Sequence, residues 1–487
     1  MSSDIKDKKF VILGAGPAGM GAAWELYKKG AKHITVIDHN DQVGGLARTM
    51  KFKGYFFDVG PHRFLTKYAE VEALWKELLG DDLLSRPRLT RIYYRNRFFV
   101  YPLKLTDALW NLGLWQSMLA GMSFLKAQVR WYGKDPKNFA EWTEKTFGNR
   151  MSQAFFRDYF TKVWGIGAHE VGIEWAGQRI KRISIRDFFG KKLKEFVWQQ
   201  KSENIGNKFY YPRYGAGQFY TTMQKKLAAA GVTFQLGRTV LAIRHEGSRL
   251  TSVETEGQGG KAETFSGDIF ISSIPANFLI SALAPAVSND VRALTSAMRF
   301  RAHIAVNMIV NRKDLFADSW LYIQSVDFRI ARIGNYGAFS PDMLGNPDTS
   351  AIGVEFFCFA GDTFWEKSDE DIIALAVDEL VKLGFISRQE YASAFVVRHE
   401  DAYPTYYLGY REAFARVRQC LEAFENLRLI GRAGMYKYKD QDHALYTGIL
   451  TVRNLFGEDN DVWELGEEKE FFEEKTAPHE LMPRSNS

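Results

Sequence analysis

Hydrophobic and polar positions divide the chain into three kinds of pattern. An apolar run, Phe10–Leu13, is followed by a glycine-rich turn, by apolar residues at helical spacing, and by a second apolar run at Ile34–Ile37, so the chain opens on a strand–helix–strand unit. From about residue 90 to 200 helical and aromatic patterning dominates and interrupts that domain, although Arg91–Tyr101 alternates like a hairpin whose basic and aromatic side chains border a cleft. Strand patterns return at Phe234–Leu236, Val240–His245, Leu250–Glu254 and Asp268–Pro275. Alternation then marks residues 298–400, with strands such as His303–Val310 and a helix over Asp369–Leu383. The chain returns to its first domain through a strand at Leu427–Ile430, a glycine turn and a helix starting near His443. No internal repeat or low-complexity tract is evident.

The first turn carries chemistry. Gly14, Gly16 and Gly19, with Pro17 and Ala18 between them, form G-x-G-x-x-G, and Asp38 closes the second strand nineteen residues beyond the last glycine. The first glycine permits the tight turn, the second admits a pyrophosphate to the backbone amides, and the third lets helix and strand touch. The helix N-terminus favours the anion, and the acid is placed for a ribose hydroxyl. A dinucleotide is the expected ligand.

Composition narrows the setting. At 487 residues, two interlocked domains sharing a deep cleft are expected, and 15% aromatic residues are enough to wall a large ligand pocket. The two cysteines, Cys358 and Cys420, are too few for a disulfide framework or a zinc cluster, and the histidines show no ligand spacing, so no metal site and a cytoplasmic location are expected. A formal charge of +6 is spread among interspersed acids, which argues against nucleic-acid binding and suits a small anionic substrate. Leu109–Leu125 is apolar but too short and too polar within to span a membrane. It is expected as a buried or cleft-covering helix, with peripheral membrane contact as the minority reading. The acidic stretch Gly457–Lys475 is expected to be a solvated terminal helix, with a frayed end beyond it.

The stretch Val43–Phe64, with paired glycines Gly44 and Gly45, Leu46 and Arg48 directly after the acidic position, resembles the second phosphate motif of the FAD-dependent amine oxidase and protoporphyrinogen oxidase superfamily. The C-terminal Gly431–Gly448 resembles the element by which that superfamily covers its cofactor. Within it, Gly60–Thr66, Asp158–Gly165, Lys181–Arg186 and Ala402–Glu412 are similar to separated stretches of UDP-galactopyranose mutases. The resemblance implies an α/β chain, α+β overall: a Rossmann-like FAD-binding domain built from residues 1–90, 206–297 and 416–456, a helix-rich cleft segment at 91–205, a sheet-based substrate domain at 298–415 and an acidic tail at 457–487.

It also implies roles. FAD would be held by Gly14, Gly16, Pro17, Ala18, Gly19, Asp38, Gly44, Gly45, Leu46, Arg48, Gly60, Pro61, Val240, Gly431, Arg432, Asp440, Gln441 and His443, although His443 reads equally well as a helix cap. His62, Arg186, Tyr403, Arg432 and Tyr438 would carry catalysis, and Tyr159 and Trp164 would border the nucleotide base. A second arginine falls at Arg329 or Arg332, with Arg332 carried forward, and Arg182 stays open. The implied reaction interchanges the pyranose and furanose forms of a nucleotide-linked sugar at reduced flavin N5, without net electron flow, in cell-surface polysaccharide biosynthesis; NAD(P)H is a candidate reductant. Arginines suit the diphosphate because a guanidinium binds phosphate bidentately and stays charged. The sequence also departs from the mutases: Lys208–Phe234 reads more like amine oxidase and desaturase relatives, and Ala433 and Leu445 replace expected residues. Two other readings therefore stand beside the mutase: an oxidoreductase that takes hydride from its substrate, and a flavin-containing scaffold. Oligomeric state is left open.

Overall fold

The computed structural model describes residues 5–101, 103, 110–172 and 208–466. The candidates Arg182 and Arg186, and the tail beyond Gly466, lie outside the described residues.

The opening unit forms as patterned, with Lys9–Leu13, Pro17–Lys28 and His33–Asp38. Its strands belong to a parallel five-stranded sheet ordered Leu427–Leu429, Ile269–Ser272, Lys9–Leu13, His33–Asp38, Thr233–Leu236. Strands in a parallel sheet are covered on both faces, which explains their continuous apolar runs. The sheet is completed only when the second half of the chain returns to it.

That return is sealed by the helix Gln441–Leu455, which lies directly on Pro17–Lys28. A Cβ at Gly448 would sit 2.1 Å from the Ala18 carbonyl oxygen, and one at Gly21 would sit 2.2 Å from that of Leu445. The two backbones touch because neither glycine carries a side chain. Leu445, unexpected in the sequence, is buried in the resulting seam.

A four-stranded sheet (Ala262–Ser266, Arg249–Glu256, Thr239–Glu246, Leu283–Ala284) flanks this domain. The second large sheet has seven strands, ordered Tyr391–Pro404, Phe300–Val310, Ser350–Cys358, Arg332–Asn335, Trp320–Ile323, Thr90–Tyr94, Arg97–Val100. The hairpin at Thr90–Val100, grouped from sequence with the helix-rich block, instead extends this sheet by pairing in parallel with Trp320–Ile323. Its turn, Arg95 and Asn96, takes positive φ at both positions, as a two-residue hairpin loop requires.

Side chains alternate across this sheet, and the alternation separates its two faces. Ile304, Val306, Met308, Val354 and Phe356 join Ile372, Ala376 and Leu380 of the helix Asp369–Lys382 in one core. The helix starts where predicted because the Ser368 side chain accepts the Asp371 amide, at 3.1 Å. By the same alternation His303, Asn307, Glu355 and Arg332 fall on the opposite face.

Two expectations are corrected. The described part of the tail, Gly457–Gly466, is a series of turns and bends, not a helix. It folds back on the domain, where Val462 is buried, the Arg418 guanidinium covers Trp463 at 3.7 Å, and Lys437 Nζ donates to the Trp463 carbonyl at 3.0 Å. The apolar stretch near residue 115 forms the helix Leu114–Arg130, but it is not buried: only Ala120 and Ala127 are fully covered, and Leu119 and Phe124 are half-buried. Leu114, Trp115, Met118, Met122, Leu125 and Val129 are exposed to solvent. Among the described residues no helix is long and apolar enough to cross a membrane.

Replacing Gly448 with Val forces the two helices apart, an overpacking cost of about 3 kcal/mol. Gly448→Val is expected to lower the urea midpoint of unfolding, and an unchanged midpoint would show that the seam contributes nothing to stability.

Candidate active site

The first turn has the conformation its glycines permit. Gly14 has φ +98°, and a Cβ at Gly19 would fall 1.8 Å from the Gly14 carbonyl oxygen. Gly16 precedes the helix with no side-chain cap and Pro17 follows it, which leaves the N-terminal amides for a ligand. Gly44 and Gly45 also have positive φ, and a Cβ on Gly45 would come within 3.0 Å of the Gly16 Cα. The two glycine motifs therefore face each other, with Leu46 and Ala47 in the short helical turn beyond and the Gly44 amide bonded to the Ala15 carbonyl at 2.8 Å. Arg48 is buried beside them and donates to the Gly45 carbonyl at 2.9 Å. Burial lowers its pKa, while Asp38 and Asp41 favour its charge.

Asp38 accepts the Ala15 amide at 2.6 Å and the Asn40 amide at 2.7 Å, so its carboxylate is held at the end of the turn. The Arg238 amide donates to the Asp38 carbonyl, which brings the strand containing Val240 to the same end. From the other end of the chain, Gly431 has φ +73° and its amide donates to Thr447 Oγ1 at 2.9 Å; a Cβ there would lie 2.7 Å from that of Ala18. Asp440 precedes the last helix, and Gln441 bridges the Tyr220 hydroxyl and the Arg63 carbonyl. Such a cradle, free of side chains and closed by an open helix end and a held carboxylate, fits a dinucleotide of the FAD type. His443 lies 3.3 Å from Asp442, edge-on to Tyr68 and against Gly466, which agrees with a place at the helix start.

A hairpin, Thr49–Phe52 with Tyr55–Asp58, leads from this cradle to a cleft loop, and the Val59 amide bonds back to the Arg48 carbonyl. The loop Gly60–Pro61–His62 rests on the polar face of the seven-stranded sheet. A Cβ on Gly60 would lie 3.3 Å from Glu355 Oε2 and 3.5 Å from His303 Cε1, and Pro61 abuts Gly334. His62 Nδ1 bonds the Gly60 carbonyl at 2.8 Å. Burial lowers its pKa to about 4, with Arg432 and Arg332 adding to the shift, so the ring is neutral near pH 7.

Beneath the loop Glu355 accepts His303 Nε2 at 2.8 Å and Arg332 Nε at 3.1 Å. Burial would raise the Glu355 pKa, but Arg332 and His303 outweigh it and bring it to about 2. A buried carboxylate persists only with such partners. Arg332 reaches Tyr403 Oη at 3.5 Å. Tyr403 stacks parallel to Tyr438 at 5.8 Å and meets Trp164 and Phe357 edge-on, while the Arg432 guanidinium covers Tyr403 at 5.0 Å and Tyr438 at 4.5 Å. Tyr159 is near, with its hydroxyl 3.4 Å from the Ala331 carbonyl.

The fold thus brings His62, Tyr159, Trp164, Arg332, Tyr403, Arg432 and Tyr438 into one neighbourhood. Of the two arginines left open, Arg332 lies in this neighbourhood and Arg329 turns away, its guanidinium 3.8 Å over Phe364 and its amide on Glu379. Arg432 is committed differently from a simple phosphate grip, because it donates to the Lys439 and Ala402 carbonyls and so pins the loop that carries Tyr438. Glu355 carries no motif in the sequence, and His303 and His399 show no ligand spacing there. His303 is buried on the polar face, and His399 is paired with it across the sheet, its pKa lowered well below normal by burial and nearby Arg48. The signal was available for Glu355, since an acid inside the apolar strand Ser350–Cys358 demands a buried cation.

Two outcomes are expected. In Gly16→Ala the added Cβ lies 3.8 Å from the Gly45 Cα, an ordinary contact, so the apoprotein should keep its melting temperature while the 450 nm flavin absorbance falls severalfold as the methyl enters the space for the pyrophosphate. For His62, a folded pKa below its unfolded value means stability that is present above about pH 6.5 and lost as pH falls toward 4. His62→Gln should flatten the fall in melting temperature across that window, and an identical profile would show that the ring is not held neutral.

The chain matches the model for flavin containing amine oxidoreductases over residues 17–455. The L-amino-acid oxidase of Crotalus adamanteus is 41% identical over 78 residues, which span 16% of this chain and only 15% of that protein. The coproporphyrinogen III oxidase of Mycobacterium leprae (strain TN) is 22% identical over 433 residues, 85% of this chain and 91% of the other. A solved structure of reduced UDP-galactopyranose mutase superposes with a TM-score of 0.82 at 20% identity, covering 95% of this chain and 98% of that one, a likeness of fold. This chain belongs to the family of flavin-containing amine oxidoreductases.

Proposed function

We propose that this FAD-dependent enzyme interchanges the pyranose and furanose forms of a nucleotide-linked sugar, with its flavin reduced in the working state. The observation that carries the reading is the cleft wall in which Arg332, held by Glu355, meets the stacked pair Tyr403–Tyr438 under Arg432. Reduced FAD, when bound, supplies the nucleophilic centre such a rearrangement uses, and it leaves the net redox state unchanged.

The chain's own residues supply the rest. Glu355 fixes the plane of the Arg332 guanidinium, whose remaining donors suit a diphosphate. The tyrosines offer neutral donors, and Trp164 closes one side with an aromatic face suited to a base or sugar. With His62 depressed to about 4 and Glu355 to about 2, neither group changes charge near neutral pH. Preorganised charge and proximity, not a titrating base at these positions, then provide the catalysis.

The second reading, an oxidoreductase that removes hydride from its substrate, is favoured by the long similarity to a coproporphyrinogen III oxidase. Dithionite-reduced and oxidised holoenzyme, incubated with UDP-, GDP- and dTDP-sugars and analysed by chromatography of ring isomers, separates the two. Conversion by the reduced form alone is the expected result, with Arg332→Lys about a hundredfold slower at full flavin content. Peroxide release in proportion to product from the oxidised enzyme would favour the oxidoreductase, and inactivity of reduced holoenzyme toward the whole panel would overturn the mutase reading.

A further inference from the structure

The helix Leu114–Arg130 inverts the usual arrangement of an amphipathic surface helix. At about 100° per residue, Leu114, Leu125, Met118, Val129, Met122 and Trp115 fall in that angular order on one continuous stripe roughly 100° wide. This stripe faces solvent: Leu114 is 91% exposed, Val129 80%, Leu125 65% and Trp115 63%. The inward side is held by small residues, with Ala120 packed among Ile92, Phe99, Met151 and Phe155. Trp110, 87% exposed, and Tyr132, 88% exposed, extend the apolar surface beyond the two ends of the helix. A contiguous apolar face of this kind marks an interaction surface.

Its border identifies the partner. The run Trp110–Lys134 contains Lys126, Arg130 and Lys134 and no acidic residue. Neighbouring segments add two arginines, Arg97 on the Asn111 carbonyl and Arg150 on Gln116 Oε1 at 3.1 Å. Glu144 takes up the charge of Arg130 at 3.0 Å and Asp135 that of Lys145 at 3.7 Å, so the basic border rests on Lys126 and Lys134. A second copy of the chain would set this basic border against its own like charges in a self-complementary contact. Tryptophan and tyrosine at the ends of an apolar stripe, with a basic flank, match the headgroup boundary of an anionic bilayer. At about 25 Å the helix is long enough to lie in that boundary, while among the described residues no helix can cross it.

We propose that the outward face of Leu114–Arg130 docks flat on an anionic lipid surface. The test is co-sedimentation of full-length holoenzyme with phosphatidylglycerol–phosphatidylcholine vesicles and with phosphatidylcholine alone, at low and high salt. Binding is expected to the anionic vesicles at low salt, and to fall about fivefold or more without phosphatidylglycerol or at high salt. The triple substitution Trp115→Gln, Leu125→Gln, Val129→Gln alters exposed positions only, so melting temperature and flavin absorbance should stay as in the parent while vesicle binding drops about tenfold. Lys126→Glu with Lys134→Glu should lower it similarly by removing the basic border. The proposal is overturned by failure of the parent to pellet with anionic vesicles, by equal pelleting of the triple variant, or by indifference to lipid charge. A parent dimer in light scattering that the triple variant dissolves, without vesicle binding, would assign the face to self-association instead.

Discussion

The architecture depends on backbones meeting where no side chain intervenes. Gly14 and Gly19 close the first turn, Gly16 meets Gly45 across the cradle, and Gly21 and Gly448 let the helices Pro17–Lys28 and Gln441–Leu455 touch. A Cβ on Gly19, Gly21 or Gly448 would collide with facing backbone, one on Gly45 would come within 3.0 Å of the Gly16 Cα, and one on Gly16 would fill the space between the two glycine motifs. Together they draw segments separated by hundreds of residues to one place, and they leave amide groups and a helix end exposed there. A dinucleotide is the ligand for which such a lining is suited, and membership of a flavin-containing family follows the same physics.

The second domain adds the charged half of the cleft. Its sheet has an apolar face covered by the helix Asp369–Lys382 and a face on which His303, Glu355 and Arg332 form a buried ionic network. Removing charges from water is costly, and Arg332 and His303 offset the cost by converging on Glu355 Oε2, while Glu355 Oε1 is buried without a hydrogen-bond partner. The network sits directly under the Gly60–Pro61–His62 loop. Loop position and guanidinium orientation are therefore linked through Glu355.

One fold of this kind hosts several chemistries, and what distinguishes them is the wall, not the cradle. Here the wall combines two arginines, stacked tyrosines and a tryptophan, with Arg432 spending donors on the Lys439 and Ala402 carbonyls to hold the loop of Tyr438. The outward apolar helix packs through Ala120 on Ile92 and Phe99 of the hairpin that extends the second sheet.

The amino-acid sequence by itself determined the local elements whose instructions are short-range. Gly14–Gly19 dictates its turn, Ser368 starts its helix, the pair Arg95–Asn96 makes its hairpin, and the apolar runs at Phe10–Leu13 and Ile34–Ile37 announce buried parallel strands. Tertiary structure alone decided what depends on partners distant in the chain. It chose Arg332 over Arg329, because only Arg332 shares a sheet face with Glu355. It moved the hairpin at Thr90–Val100 into the second sheet, since an exposed strand edge takes whichever strand closes on it. It also turned the apolar stripe of Leu114–Arg130 outward, because periodicity reports that a helix has an apolar face but not whether protein, or something else, will cover it.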